Sequence, residues 1–140
     1  MKIREMTIDD YDEIYALWNT SLSSARDMDD SHEAIARFLQ RNPRLSVVAE
    51  LDGKVVGSIL CGHDGRRGFL YHVAADPAQR RAGIGQAMLN ACLEQLREEG
   101  ISKCGLIAFT NNTTGNAFWD SMGFHTREDV YYRDCWLNES

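Results

Sequence analysis

The stretch of sequence that decides the fold reads VAADPAQRRAGIG and covers residues 73–85. It joins an apolar run that ends at Ala75 to a long amphipathic run that begins at Ala82. Gly83 and Gly85 lie at the start of the second run, and glycine lacks the Cβ that would keep a ligand away from the backbone. The pattern predicts a strand, a tight loop and a helix whose first turn is accessible to a ligand.

The start of this helix has the features of an anion site. The first N–H groups of a helix have no partner inside it, and the helix dipole is positive at that end. Arg80 and Arg81 add positive charge, and the arginine fork suits phosphate oxygens. Nucleotide loops fit poorly, because Gln86 stands where a Walker loop needs lysine and Met88 where a dinucleotide loop needs a small residue. The residues alone leave open whether the loop binds an anion or only packs the helix against a sheet.

Apolar periodicity predicts the other elements of the chain. Asp52 and Gly53 separate two apolar runs and favour a tight hairpin turn. Hairpins come first and a β-α-β-α-β order follows, so we expect an α/β fold with a mixed sheet, and 140 residues suit one domain. The expected strands are residues 1–6, 45–51, 54–61, 69–75, 104–109 and 130–137, and the expected helices begin near Thr7 and Asp30 and cover residues 82–99 and 113–122.

Composition narrows the class of function. The formal net charge of -6 disfavours a free-standing nucleic-acid binder. No apolar run approaches the roughly 18 residues of a membrane span, so no membrane partner is expected. The N-terminus lacks a charged-then-apolar leader, which favours a cytoplasmic protein with reduced thiols. No metal site is expected, and no CxxC pair occurs among the cysteines, which are Cys61, Cys92, Cys104 and Cys135.

The run over residues 73–85 resembles the central motif of the GNAT N-acetyltransferases. The family signature is Gln/Arg-x-x-Gly-x-Gly/Ala, which Arg80, Gly83 and Gly85 match, and a small residue followed by x-Pro precedes it. A second family motif follows at the right separation, with Asn112 and then the sequence AFWDSMGF. The resemblance covers about residues 45–125. It implies a single N-acetyltransferase domain over residues 1–140, with a mixed, mostly antiparallel sheet whose central strands splay apart between flanking helices.

The resemblance also implies a ligand and the residues that bind it. The pantetheine arm of acetyl-CoA, the co-substrate, lies between the splayed strands in this family and bonds to the backbone of the fourth strand. The pyrophosphate meets the glycine loop, the acceptor is an amine, and a homodimer is one of the assemblies to expect. The residues implied to bind acetyl-CoA are Val73, Ala74, Ala75, Arg80, Arg81, Ala82, Gly83, Ile84, Gly85, Asn112 and Trp119.

Fewer residues are candidates for acid–base catalysis than for binding of acetyl-CoA. Tyr71 alternates with Val73 and Ala75 along the predicted strand, so we expect its phenol to face the acceptor and to order a water or take part in proton transfer. His72 is expected to point to the opposite face unless a bulge redirects it. Tyr132 is a candidate acid on the last predicted strand. The phenols remain equally explicable as packing residues, and His72 as a structural histidine.

Two positions depart from the family pattern. Many relatives have a tyrosine where this chain has Trp119, and some have a glutamate where it has Ile107. The indole N–H is a donor that cannot act as an acid. We therefore interpret the chain as an enzyme that transfers acetyl directly from acetyl-CoA to a primary amine, with a protein N-terminus, a lysine or a small amine as acceptor. The alternatives are a non-catalytic acyl-CoA binding or sensing module and a structural domain that has lost the ligand.

Overall fold

The computed structural model describes residues 1–79 and 82–138, and the chain divides into two compact units, Met1–Ile107 and Ala108–Ser140. The second unit contains helix α4 (Thr113–Ser121). The elements of the first unit are strands β1 (Lys2–Glu5), β2 (Val47–Leu51), β3 (Lys54–His63), β4 (Gly68–Ala75) and β5 (Cys104–Leu106), and helices α1 (Tyr11–Ser21), α2 (His32–Arg41) and α3 (Ile84–Glu98).

The strands form one sheet in the order β1-β2-β3-β4-β5. The pairs from β1 to β4 are antiparallel and β5 lies parallel to β4, which confirms the expected mixed, mostly antiparallel sheet. The predicted hairpin turn between β2 and β3 is also confirmed. Asp52 and Gly53 have φ angles of 52° and 76°, the left-handed values that a two-residue turn of this kind requires.

Helices cover both faces of the sheet. On one face, Ile14 and Trp18 of α1 and Ile35 of α2 join a buried apolar cluster with β2, β3 and β4. On the other face, α3 lies so close to β3 that a Cβ on Gly57 would stand 2.8 Å from Met88 Cε. Removal of this apolar area from water is the main stabilising contribution to such a fold.

Local signals correctly predict several helix ends. Ser31 caps α2 by accepting a hydrogen bond from the Ala34 N–H at 3.2 Å, and the helix ends before Pro43. Gly100 follows α3 with a φ of 83°, as expected of a helix-terminating glycine. The start of α3 lies at Ile84 and not at the predicted residue 82, because Gly83 has a left-handed φ of 74°.

The end of the chain differs from the prediction. Residues 104–109 were expected to form a strand, and β5 covers their first half only. The strand expected at residues 130–137 is wrong, since residues 122–138 contain no strand. Its β-branched and aromatic residues favour a strand only where a neighbouring strand supplies hydrogen bonds and packing. Val130 and Tyr131 are exposed instead.

Candidate active site

The pairing between β4 and β5 covers only the first part of β4. These strands pair from Gly68 opposite Cys104 to Leu70 opposite Leu106, and β5 ends there while β4 continues to Ala75. Beyond Leu70, therefore, β5 does not cover this edge of β4. The uncovered edge corresponds to the splay between central strands that the family resemblance implies.

β4 contains a β-bulge at the start of its uncovered part. Ile59 of β3 stands opposite two residues of β4, His72 and Val73, because the register shifts between the flanking pairs. His72 has a φ of 49°, in the left-handed region that residues other than glycine avoid. Such a conformation typically costs about 1 to 3 kcal/mol and persists only where the surrounding structure holds it.

The bulge changes which β4 side chains share a face. Tyr71 was expected to alternate in phase with Val73 and Ala75, and the extra residue shifts that phase by one. Ala74 packs in the cluster with α1 that Tyr71 also contacts, whereas Ala75 is paired with Gly57, which faces α3. The prediction that Tyr71 shares a face of the sheet with Val73 and Ala75 is therefore wrong. The bulge that causes the difference leaves no local signal in the sequence.

The backbone of β4 presents polar groups at the uncovered edge. The Asp76 N–H bonds to the Val56 carbonyl of β3 at 2.8 Å. Because successive residues of a strand direct their N–H and C=O groups to opposite edges, the groups of Val73 and Ala75 point away from β3. The two residues that were expected to bond the pantetheine arm therefore have their backbone groups at the edge that β5 leaves open.

The N-terminus of α3 follows β4 through a short 3₁₀ turn. Gly83 is exposed, and a Cβ placed on it would have no atom within 4 Å, so space is open around this left-handed residue. The Ala82 N–H bonds to the Gln79 carbonyl at 3.4 Å, and the first N–H groups of the helix lack intrahelical partners. Arg80 and Arg81, which were predicted to bind phosphate, lie outside the described residues.

Ile84 and Gly85 form the first turn of α3. The Ile84 side chain is buried against Gly57 of β3, so only its backbone is available to a ligand. This contact anchors the start of the helix to the sheet next to the uncovered edge of β4. An open, dipole-positive helix start is thereby held at a fixed position beside the β4 edge to which the backbone groups of Val73 and Ala75 point.

His72 is surrounded by polar and aromatic partners. Its Nε2 donates to Asp30 Oδ1 at 2.7 Å, and Arg26 Nε donates to Asp30 Oδ2 at 3.1 Å. The Trp18 indole lies edge-on to the imidazole with ring centroids 4.7 Å apart. Only 8% of the His72 side chain is exposed. His72 does not point to the face opposite Tyr71, because the exception named for it, a bulge, occurs here and turns both side chains towards the α1–α2 layer.

A hydrogen-bonded chain holds the backbone of the bulge. Trp18 Nε1 donates to Ser58 Oγ at 2.9 Å, and Ser58 Oγ donates to the His72 carbonyl at 3.4 Å. Ser58 is fully buried. Sequence patterns do not predict this hydrogen-bond network, since its residues come from three different elements, α1, β3 and β4.

Tyr71 lies beside His72 in a half-buried aromatic group. Its ring packs edge-on to Phe38 of α2 at 5.8 Å and against Phe69 at 5.1 Å. Burial raises the pKa of the Tyr71 phenol, and the nearby positive charge of Arg67 opposes this only partly. The phenol is therefore protonated at neutral pH and suits donation of a proton better than abstraction of one.

The remaining predicted residues belong to the second unit. Asn112 caps α4, where its Oδ1 accepts from the Gly115 N–H at 3.1 Å. Trp119 is buried at 9% exposure and packs on Phe124. Tyr132 is 67% exposed. In this unit, Trp119 therefore serves as a core residue, and Asn112 as a helix cap.

In residues 1–79 and 82–138, no group of three or more His, Cys, Asp or Glu side chains is placed to hold a metal ion. None of the described helices is long and apolar enough to cross a membrane. The cysteines Cys61, Cys92, Cys104 and Cys135 are free thiols.

Comparison with known proteins identifies the family that shares this sheet and this helix start. The chain belongs to the acetyltransferase (GNAT) family, whose model matches residues 11–124. It is 32% identical over 130 residues to Acetyltransferase SG1711 of Sodalis glossinidius (strain morsitans), an alignment that covers 93% of this chain and 91% of that protein.

Solved structures show the same fold. One is the aminoglycoside acetyltransferase meta-AAC0020 in complex with sisomicin, which comes from an uncultured soil metagenomic sample. Its TM-score is 0.80 at 20% identity, and the match covers 98% of this chain and 96% of that chain. Another is the PaiA N-acetyltransferase of Thermoplasma acidophilum in complex with coenzyme A, with a TM-score of 0.76, 19% identity and 87% of each chain covered. Together with the family match, these findings confirm the fold and the class of enzyme expected from the sequence.

Proposed function

We propose that this acetyltransferase moves an acetyl group from acetyl-CoA to a primary amine by direct attack, without a covalent enzyme intermediate. The observation that carries the proposal is the continuity between the uncovered edge of β4 and the open N-terminus of α3. An extended thiol arm with amide groups fits the first feature, and a pyrophosphate fits the second. A solved relative of the same fold is a complex with coenzyme A.

The residues that we propose to bind acetyl-CoA are those that the family resemblance implies. Backbone groups of Val73 and Ala75 bond the pantetheine arm, and backbone N–H groups of the glycine loop hold the pyrophosphate. Arginine side chains in that loop add charge. The complete set that we propose for acetyl-CoA is Val73, Ala74, Ala75, Arg80, Arg81, Ala82, Gly83, Ile84, Gly85, Asn112 and Trp119.

A proton donor for the departing thiolate is the next requirement. Tyr71 is our first candidate, because burial keeps its phenol protonated and its strand leads into the uncovered edge. Tyr132 is the second candidate, as a phenol near the C-terminus. The usual family acid is replaced by Trp119, and Ile107, at the position of the usual base, is 58% exposed and cannot titrate.

The acceptor is a primary amine on a protein N-terminus, a lysine or a small molecule. One relative of this fold is an aminoglycoside acetyltransferase bound to sisomicin, so a polyamine-like amine belongs in any panel of acceptors. We further propose that the enzyme acts in the cytoplasm, which agrees with its free cysteines.

Calorimetric titration with CoA and acetyl-CoA tests the site, and thioester consumption over a panel of amines tests the reaction. The panel should include an N-terminal peptide, a lysine peptide, a polyamine and an aminoglycoside. Binding with turnover of at least one amine is the expected result. Binding without turnover would favour the alternative, an acyl-CoA sensing module, and no binding would contradict both.

A further inference from the structure

The acetyl-transfer reaction needs a proton acceptor that the family positions do not supply. At neutral pH an alkyl amine is mostly an ammonium ion, and its nitrogen attacks only after a proton has left. The family's usual glutamate position holds Ile107, and Tyr71 is a proton donor at this pH. A different group must therefore receive the first proton.

We propose that His72 receives this proton at Nδ1, directly or through one water, and that Asp30 is its positioning residue. The inference rests on the proposed function and names the base of that reaction. It adds a role for the α1–α2 connection, because Asp30 lies there and not on the strands that bind the thioester.

The first support is the state of the imidazole. A carboxylate only accepts hydrogen bonds, so the Nε2 that lies 2.7 Å from Asp30 Oδ1 carries the hydrogen. Nδ1 then has a free electron pair. Among residues 1–79 and 82–138, Nδ1 has no hydrogen-bond partner, nor does it belong to the buried polar atoms that lack one. This nitrogen is therefore available to accept a proton.

The second support is the position of the side chain. His72 lies on the β-bulge next to Val73, whose backbone groups face the uncovered edge of β4. Two residues earlier, at Leu70, the pairing of β4 with β5 has already ended. The imidazole is therefore attached to the backbone segment where the proposed thioester and amine meet.

The third support is the set of contacts that holds His72 and Asp30 in place. Asp30 also accepts from Arg26 Nε, and its backbone carbonyl accepts from the Tyr11 hydroxyl at 2.6 Å. Trp18 packs on the imidazole. The left-handed backbone of His72 is thus locked in one conformation, as expected where strain serves a function.

The charged environment suits a group that must become a cation. Asp30 is the negative group in contact with the imidazole, and 12% of its side chain is exposed. Arg26, from the same connection, is the positive group bound to that carboxylate. The contacts from α1 and β3 are the uncharged Trp18 and Ser58. A carboxylate on Nε2 fixes the tautomer and orients the ring, as in other histidine–aspartate pairs.

The proposed reaction consists of proton transfer, attack on the thioester and loss of the thiolate. The ammonium gives one proton to His72 Nδ1, and the neutral nitrogen forms a C–N bond with the thioester carbonyl carbon. The carbonyl electron pair moves to oxygen and returns as the C–S bond breaks, with that bond's electrons leaving on sulfur. The nitrogen gives its second proton to water, and the thiolate takes one from Tyr71 or water. Solvent then returns a proton to the tyrosinate or hydroxide left behind. His72 then releases its proton to solvent.

The test compares wild-type protein with His72→Gln, using an amine found active in the acceptor panel. We expect kcat to fall by about 100-fold or more, the low end for general base catalysis, with unchanged calorimetric affinity for CoA. The low-pH limb of the wild-type kcat profile should disappear, and the variant's rate should follow the fraction of free amine. The loss should shrink for a weakly basic acceptor that is already neutral at the assay pH.

His63→Gln is the matched control. His63 is a second histidine with a carboxylate partner, since its Nε2 lies 2.9 Å from Glu99 Oε1. It stands opposite Gly68, at the far end of β4 from the uncovered edge. The control should retain the wild-type kcat and pH profile.

Asp30→Asn guards against a variant that fails to fold, because it keeps the imidazole in place. It should lower kcat while leaving the affinity for CoA unchanged. Identical kcat and pH profiles for wild type, His72→Gln and Asp30→Asn would overturn the role of His72 and leave the acetyltransferase function intact. A wild-type protein that binds CoA but acetylates no amine would instead overturn the proposed function, and the role of His72 with it.

Discussion

Trp18 of α1 and Ser58 of β3 are joined by a hydrogen bond of 2.9 Å between two fully buried side chains. The same Ser58 hydroxyl donates to the carbonyl of His72, so one residue links the core to the bulge. The strained backbone of β4 is thus supported from the helix layer. This relationship makes the stability of the fold and the geometry of the candidate site depend on the same atoms.

Ser58→Ala should destabilise the protein by about 1 to 3 kcal/mol, because it leaves a buried indole N–H without an acceptor. Urea denaturation measures the free energy of unfolding. Trp18→Phe and the double variant complete a mutant cycle, in which the second substitution should cost less once the first has removed the bond. Strictly additive effects would show that the two side chains do not interact.

Gly83→Val should weaken CoA binding at least tenfold, because its side chain would occupy the open space at the start of α3 and strain a left-handed backbone. Calorimetry with CoA provides the measurement. Gly53→Val is the matched control, since Gly53 has a similar φ of 76° and equally open surroundings in the β2–β3 turn. Equal affinities for the two variants would remove the glycine loop from the binding site.

Tyr71→Phe should lower kcat with little effect on CoA affinity if its phenol protonates the thiolate. Tyr132→Phe tests the second candidate under the same conditions. Steady-state rates with one saturating amine distinguish the two candidates, because only replacement of the true donor should reduce kcat. If neither variant changes kcat, water is the proton donor and both phenols are packing or surface residues.

Lowering the pH should remove the contribution of the Arg4–Asp10 pair to the free energy of unfolding. Burial by itself raises the pKa of Asp10, but hydrogen bonds from Arg4 at 2.8 Å and from the Thr7 N–H outweigh burial and hold that pKa below its ordinary value. Because the folded-state pKa is lowered, this stability is present above the ordinary value of 3.8 and is lost as pH falls through the folded-state pKa. Asp10→Asn should therefore cost stability in urea denaturation at pH 7 and progressively less below about pH 4. A cost that stays constant with pH would contradict the pairing.

Much of the fold is predictable because local chemistry determines it. Asp52 and Gly53 specify their hairpin turn, Ser31 caps one helix, and Gly100 ends another through its own backbone. Each of these turns and helix ends is determined by residues that are close together in the sequence. The glycine loop and its family motif likewise indicate an acyl-CoA enzyme before any tertiary contact is considered.

The parts that were not predictable depend on pairing between distant residues. The bulge at His72 arises from the register of β3 against β4, and Asp30 reaches the imidazole from a connection 42 residues earlier. Residues 130–137, which were expected to form a strand, have no such pairing, and no strand forms there. Tertiary context, not propensity, decides these features.

The most direct test of acetyl transfer is to follow both products with one acceptor. Purified protein, acetyl-CoA and the amine panel are incubated, the free CoA thiol is measured by a thiol reagent, and the acetylated amine by mass spectrometry. We predict one N-acetylated amine for each CoA thiol released, with no acetylated protein intermediate. Release of the thiol without an N-acetylated product, or an acetyl group retained on the protein, would contradict direct transfer to an amine.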